Sequence, residues 1–255
     1  MKMGILSGII LTIAAVLIIY LFVDESLRGD FSDIKLQGKN DKTVVILPGL
    51  SGTPTPFEEL ARRLNKDGYT VIVPLLKNHG GNLSKLSRTS ISEVEDQARQ
   101  ILERSEGKKV IVAECSSSLI ALKLADELKI PAVLINPPLK AHYGLIARLP
   151  IPYIYRFDIG LLKDRSQLYK VPRYSKYPIS FLRQQMKYRE RVKLNTSQNL
   201  LIFHSKNDIR APYSGVKMLA SVAPNSEVFI LNNSGHLPYL DVEKEIFYAK
   251  LKEFL

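Results

Sequence analysis

The sequence predicts a doubly wound, mostly parallel α/β sheet that carries one insertion and is preceded by one transmembrane helix. Three observations lead there. From residue 43 onward, short runs that are apolar throughout alternate with longer amphipathic runs. Strands without a polar face belong to parallel sheets covered on both sides, and the amphipathic runs between them supply the crossover helices. Ahead of this alternation, Met3 to Val23 is a stretch of 21 residues without a single charge.

That stretch comes first in the chain. At ~1.5 Å per residue it spans about 30 Å, the hydrocarbon thickness of a bilayer. A helix apolar on every side cannot lie on a protein surface. No A-x-A cleavage pattern and no lipobox cysteine follows Val23. The expectation is a retained anchor over 1–23 and a linker over 24–40. Lys2 precedes the anchor, and Asp24 and Glu25 follow it. The positive-inside bias then puts the amino terminus in the cytoplasm and the domain at 41–255 on the extracytoplasmic side of a single-pass membrane protein.

The elements of the domain follow in order. Strands are expected at 43–47, 69–73, 109–113, 131–136, 199–205 and 227–231. Helices are expected at 56–68, 91–107, 118–128, about 212–222 and 242–254. The second of these has both end signals: Ser90 with Glu93 three residues on forms a capping box, and Gly107 follows. Residues 140–195 interrupt the alternation and read as an insertion between the fourth and fifth strands.

Charge is concentrated in that insertion. The chain holds 36 Lys and Arg against 25 Asp and Glu, a net +11. Between residues 140 and 195, 13 basic residues face 3 acidic ones, a net +10, interleaved with 7 tyrosines. Such a face suits an anionic membrane, since basic residues gain ~1 kcal/mol each beside anionic lipid and tyrosine favours the interface. Nucleic acid is not expected, because the anchor argues against it. The single cysteine, Cys115, excludes an internal disulfide.

Ligands in such sheets bind beyond the carboxyl ends of the strands. There the sequence places a glycine-bearing loop LPGLSGTP, then ECSSS, then Asp208 in KNDIRAP, then His236 in NNSGHLPYLD. Serine, aspartate and histidine stand in that order, each just past a strand end, which is the triad order of α/β hydrolases. The chain resembles the α/β-hydrolase superfamily, near the small carboxylesterases, monoacylglycerol lipases and serine aminopeptidase-like hydrolases. The resemblance covers about residues 40–255 and rests on LPGLSGTP, on NHGG at 78–81, and on the three triad positions. It implies a serine nucleophile, a histidine base, an orienting carboxylate, no cofactor, and a lid in the place of the insertion.

The nucleophile position follows from packing. Strand and helix pass close at such an elbow, so the residues two before and two after the nucleophile must be small. Framing on Ser117 or Ser118 puts Leu119 or Ile120 two residues after the nucleophile, whereas framing on Ser116 puts Ser118 there. Ser116 is therefore the expected nucleophile, with Cys115 read as a buried apolar residue and Glu114 standing where a glycine is usual. His236 would take the serine proton, and Asp208 would fix the imidazole tautomer. The backbone N–H groups of Ser117 and Leu50 would bind the oxyanion. No metal is expected, since no two histidines share a ligand spacing.

The expected function is hydrolysis of lipid-like carboxylic esters through an acyl-enzyme, with acyl transfer or thioester hydrolysis as variants. The alternative is a non-catalytic relative that binds a lipid or protein, its elbow glycines replaced by Glu114 and Ser118.

Overall fold

A computed structural model describes residues 12, 25–29, 31–49, 51–140, 148, 150–155, 171–172, 174 and 176–255. The expected anchor falls outside them apart from Thr12, as do Leu50 and most of 141–175. Among the described residues no helix is long and apolar enough to cross a membrane.

The chain runs β1 (Ile34–Leu36), β2 (Lys42–Leu47), α1 (Glu58–Lys66), β3 (Thr70–Val73), α2 (Leu83–Arg88), α3 (Ile91–Arg104), β4 (Lys108–Glu114), α4 (Ser117–Leu128) and β5 (Ala132–Ile135). It continues through β6 (Tyr153–Tyr155), β7 (Lys176–Pro178), α5 (Ile179–Arg191), β8 (Leu200–Ser205), α6 (Tyr213–Val222), β9 (Ser226–Leu231) and α7 (Lys244–Phe254). One sheet of seven strands has the order β1-β3-β2-β4-β5-β8-β9. All neighbours pair in parallel except β1, which lies antiparallel on the β3 edge with Ile34 opposite Val73.

Period-two alternation along the strands splits the core in two. Val45, Leu47, Ile111 and Ala113 face one layer with Leu83 and Leu86 of α2, Val94 and Leu102 of α3, Leu122 of α4 and Leu219 of α6. Val44, Ile46, Val110 and Val112 face the other, with Leu60 and Leu64 of α1 and Phe247 and Leu251 of α7. With both faces covered, β5 and β8 are buried along their whole length. That is why these strands read as unbroken apolar runs.

All six expected strands form, with ends shifted by a residue or so. The sheet also begins inside the stretch read as a linker, since β1 lies at 34–36. At three residues β1 is too short to show a period, and α2, at six, is under two turns. The described parts of the insertion are the antiparallel β6–β7 pair and α5, which packs against α2 and α3.

Register sets the carboxyl edge. Leu47 pairs with Ala113, Glu114 with Ile135, Ile135 with Phe203, and Ser205 with Leu231. The segments that leave β4, β8 and β9 therefore start at neighbouring points along one rim.

Helix α3 begins with the expected capping box. Ser90 Oγ accepts the Glu93 N–H at 3.1 Å, and the Ser90 N–H donates to Glu93 Oε2 at 2.8 Å. Ser90→Ala should lower the urea-derived stability by about 1 kcal/mol. A variant as stable as the parent would mean that the box adds nothing to α3.

Candidate active site

The β4–α4 junction is where the site differs from the sequence expectation. β4 extends one residue further than expected, to Glu114, and the Cys115 N–H still bonds to Ile135 O at 2.8 Å. The reversal therefore falls at Cys115, whose φ is +51°. This left-handed value costs an ordinary L-residue about 1–2 kcal/mol, and a strained strand-to-helix turn is the mark of a nucleophile elbow. Ser116, the expected nucleophile, has an ordinary right-handed helical backbone and leads into α4. Among the described residues no hydrogen bond joins the side chain of Ser116 or of Cys115 to His236.

Framed on Cys115, the small residues two before and two after are Ala113 and Ser117, both buried. Glu114 thus does not stand in a glycine's place, and Ser118 is not the position two beyond the apex. The sequence reading set Cys115 aside as a buried apolar residue, the commoner role of a lone cysteine. Applied to the cysteine, the same size rule finds a small residue on each side.

His236 and Asp208 meet as expected. His236 Nδ1 lies 2.8 Å from Asp208 Oδ2, and both side chains are buried. Asp208 Oδ1 accepts the backbone N–H groups of Arg210 at 2.8 Å and Ala211 at 3.4 Å, which fixes the carboxylate. Burial alone would push the His236 imidazole down. The charge of Asp208, the hydrogen bond to it and the neighbouring Cys115 outweigh it and hold the imidazole well above its ordinary value.

The loop that carries His236 is pinned by two more carboxylates. Glu243 accepts the N–H groups of Asn232, Asn233 and Ser234 at 3.1, 2.8 and 2.8 Å, and Asp241 accepts that of Gly235 at 2.7 Å. Asn136, just past β5, is a positioning residue that the sequence reading missed. Its Nδ2 donates to His236 O at 2.9 Å, and its Oδ1 accepts the Ser205 N–H at 2.8 Å. It thereby ties the histidine loop to the strand that leads to Asp208. The signal was available: a polar residue ending the apolar run PAVLIN.

Glu114 is buried beside the same histidine. Its Oε1 is 3.6 Å from His236 Nε2. Its Oε2 accepts the Gly49 N–H and the Tyr239 hydroxyl, each at 3.3 Å. Burial and the Glu114 charge push the Tyr239 phenol well above its ordinary value, so it stays a donor. Gly49 packs closely here: a Cβ would lie 3.0 Å from Cys115 Cβ, so a larger residue would make the elbow give by a few tenths of an ångström.

The expected oxyanion residues divide. Leu50 lies outside the described residues. Ser117 heads α4, and its Oγ donates to Pro48 O at 2.5 Å, locking the LPGLSG loop to the elbow. With the apex at Cys115, the amide that follows the apex belongs to Ser116. Among the described residues no group of three or more His, Cys, Asp or Glu is disposed to hold a metal.

The fold, the strained elbow and the buried His–Asp couple define an α/β hydrolase. Residues 44–247 match the alpha/beta hydrolase family, and the chain belongs to it. It is 24% identical over 229 residues to the thermostable monoacylglycerol lipase of Bacillus sp. (strain H-257), covering 83% of this chain and 89% of that protein. Among solved structures it is similar to one of the metagenome-derived lipolytic enzymes LipS and LipT, with a TM-score of 0.78 at 19% identity over 90% of this chain and 98% of that one. The monoacylglycerol lipase of Paleococcus ferrophilus superposes with a TM-score of 0.75 at 17% identity, over 89% and 98% of the two chains.

The chain has three other histidines. His142 lies outside the described residues. His204 stacks on Tyr213 with ring centroids 5.0 Å apart. His79, in the NHGG turn, is buried with Nδ1 at 3.0 Å from Lys77 O, and burial holds its pKa at about 4, below the ordinary 6.5. A folded value below the unfolded one means stability that is complete above pH 6.5 and drains away as pH falls to about 4. At ~1.4 kcal/mol per unit the loss is about 3 kcal/mol. Urea unfolding at pH 7 and pH 4.5 should show a smaller drop in His79→Asn than in the parent. Equal drops would remove His79 as the cause.

Proposed function

We propose that the chain is a membrane-anchored carboxylic ester hydrolase. It cleaves lipid-like acyl esters through an acyl-enzyme formed on the side chain at the apex of the β4–α4 elbow. The observation that carries this reading is the buried His236–Asp208 couple at 2.8 Å, held at the rim where that elbow ends. In this reading His236 takes the nucleophile's proton and later returns it to the leaving alcohol. Asp208 fixes the tautomer and balances the imidazolium. The amide N–H at the head of α4 and the N–H of Leu50 receive the oxyanion. Lipase-type substrates are favoured because the relatives named above are lipolytic.

The membrane part of the reading draws on the linker. The apolar run ends at Val23. Two residues on, the chain is stitched to the loop after β3: the Leu83 N–H donates to Glu25 O at 2.7 Å, the Leu27 N–H to Gly81 O at 3.2 Å, and Ser26 bridges Asn82. That loop lies on the carboxyl rim of the sheet, the rim of the site. An anchor over 3–23 therefore holds the site's own edge against the bilayer. Lys85 and Arg88 on α2, and Arg183, Lys187 and Arg191 on α5, which packs against α2, are exposed. The charges flanking the anchor favour an extracytoplasmic domain.

The test is hydrolysis of monoacylglycerol and p-nitrophenyl esters by the full chain in detergent. His236→Ala should lose at least about a thousandfold in kcat/KM with its melting temperature kept. A folded wild type inert towards every ester would favour a non-catalytic relative instead.

The chain without residues 1–23 should bind vesicles that contain anionic lipid and ignore neutral ones. Binding should weaken as salt rises, since the attraction is screened over ~10 Å at 0.1 M. Equal binding to both kinds of vesicle would reduce the basic face to a solvated surface.

A further inference from the structure

We propose that the nucleophile of this hydrolase is the thiol of Cys115, with His236 as its base and Glu114 as a positioning residue on the side of the imidazole opposite Asp208. The proposal deepens the esterase reading and rests on it for the substrate class.

A buried cysteine is more often a small apolar filler than a reagent. Three independent features set Cys115 apart. Its backbone is in the left-handed region at φ +51°, at the one point where β4 turns into α4. A filler has no need of that strain, which persists where surrounding structure fixes it and clusters at active sites. Its side chain is neither sealed in the core nor free on the surface but half-buried. It lies close enough to His236 to act electrostatically on the imidazole, whose other nitrogen is already taken by Asp208 at 2.8 Å. Of the polar side chains that follow β4, Ser117 and Ser118 spend their hydroxyls on Pro48 O and Ala113 O, at 2.5 and 3.1 Å. Ser116 sits one residue past the apex.

The reaction balances with ester and water alone. The sulfur attacks the carbonyl carbon while its proton passes to His236 Nε2. The carbonyl electron pair moves to oxygen, facing the Ser116 N–H. Collapse of the tetrahedral adduct breaks the C–O bond, and the departing alcohol takes the proton from Nε2. Water then attacks the thioester and gives a proton to Nε2. The C–S bond breaks, the acid leaves, and the sulfur recovers its proton.

Glu114 completes the couple. With Asp208 at Nδ1 and Glu114 Oε1 3.6 Å from Nε2, the imidazole lies between two carboxylates. The groups facing it are these two, Cys115, and Tyr239, which donates to Glu114. Through the Gly49 N–H the same carboxylate holds the LPGLSG loop against the elbow. Removing its charge while keeping an acceptor should lower the imidazolium pKa and move the whole kcat/KM profile towards acid, by about one unit.

The chain has one cysteine, so any thiol reagent reports on this residue alone. Iodoacetamide should abolish ester hydrolysis at one adduct per chain. At pH 7 it should react at least tenfold faster with the wild type than with His236→Ala, a comparison that needs no turnover. Equal rates would overturn the couple even if the protein hydrolyses no ester. Cys115→Ala should lose at least a thousandfold in turnover, and Cys115→Ser, nearly isosteric, should keep less than a tenth while melting like the parent. Acid-quenched turnover of p-nitrophenyl butyrate should leave a butyryl group on the peptide containing Cys115 that neutral hydroxylamine removes. Hydrolysis that survives both alkylation and Cys115→Ala, or a hydroxylamine-stable adduct on Ser116, would overturn the assignment and leave the esterase reading intact. Glu114→Gln should shift the pH profile. An unmoved profile with only a lowered melting temperature would overturn the role given to Glu114.

Discussion

The site depends on one backbone angle. At Cys115 the chain must stop being a strand and become a helix within a single residue, and it does so at φ +51°. That reversal lifts one side chain to the rim of the sheet, starts α4 immediately behind it, and leaves the first amides of α4 without intrahelical acceptors. The energy for the strain comes from the elements on either side. β4 is held between β2 and β5 along its length, and α4 packs eight buried residues of its own against the sheet and its neighbours. Neither can move without disrupting the core. The residue between them takes the conformation they leave it.

Close approach has consequences in sequence. The LPGLSG loop passes so near the elbow that a Cβ at Gly49 would crowd Cys115 and Glu114, and Ser117 and Glu114 each hold that loop with one hydrogen bond. The carboxyl rim thus carries a connected set: Asn136 to the histidine loop, Asp241 and Glu243 beneath it, Asp208 and Glu114 on either side of the imidazole. Buried carboxylates are costly unless satisfied. Here Asp208 and Glu243 each accept at least two backbone N–H bonds, and Glu114 accepts an amide and a phenol.

The sheet was legible because fully buried parallel strands leave unbroken apolar runs, and the helices because their apolar stripes and caps are local. Asp208 and His236 were legible because position alone, just past a strand end, points to them. Edge strand β1 and helix α2 were too short to show a period. Asn136 looked like a strand's end, since its role is to join two loops distant in sequence. The position of the turn was less legible. The size rule favoured Ser116 and read Cys115 as a buried apolar residue, because the apolar run alone ends at Ala113. Only the register of β4 against β5, which runs one residue beyond the apolar run, fixes where the turn falls.

An elbow is therefore better read as a steric pattern than as letters. Glycines are common at its flanks because they are small, and Ala113 and Ser117 satisfy the same requirement here with no glycine present. The residue between the small flank and the apex is freer, because its side chain leaves the strand on the opposite side, toward the histidine loop. In this chain that residue is Glu114, and its carboxylate reaches both His236 and Gly49. A glycine at 114 would leave Tyr239, buried against Phe57 at 4.4 Å between ring centroids, with a hydroxyl and no acceptor for it. The unusual letters of ECSSS thus form one consistent set. Serines 117 and 118 secure the turn, the cysteine occupies its strained apex, and the glutamate closes the space between the loops that the turn brings together.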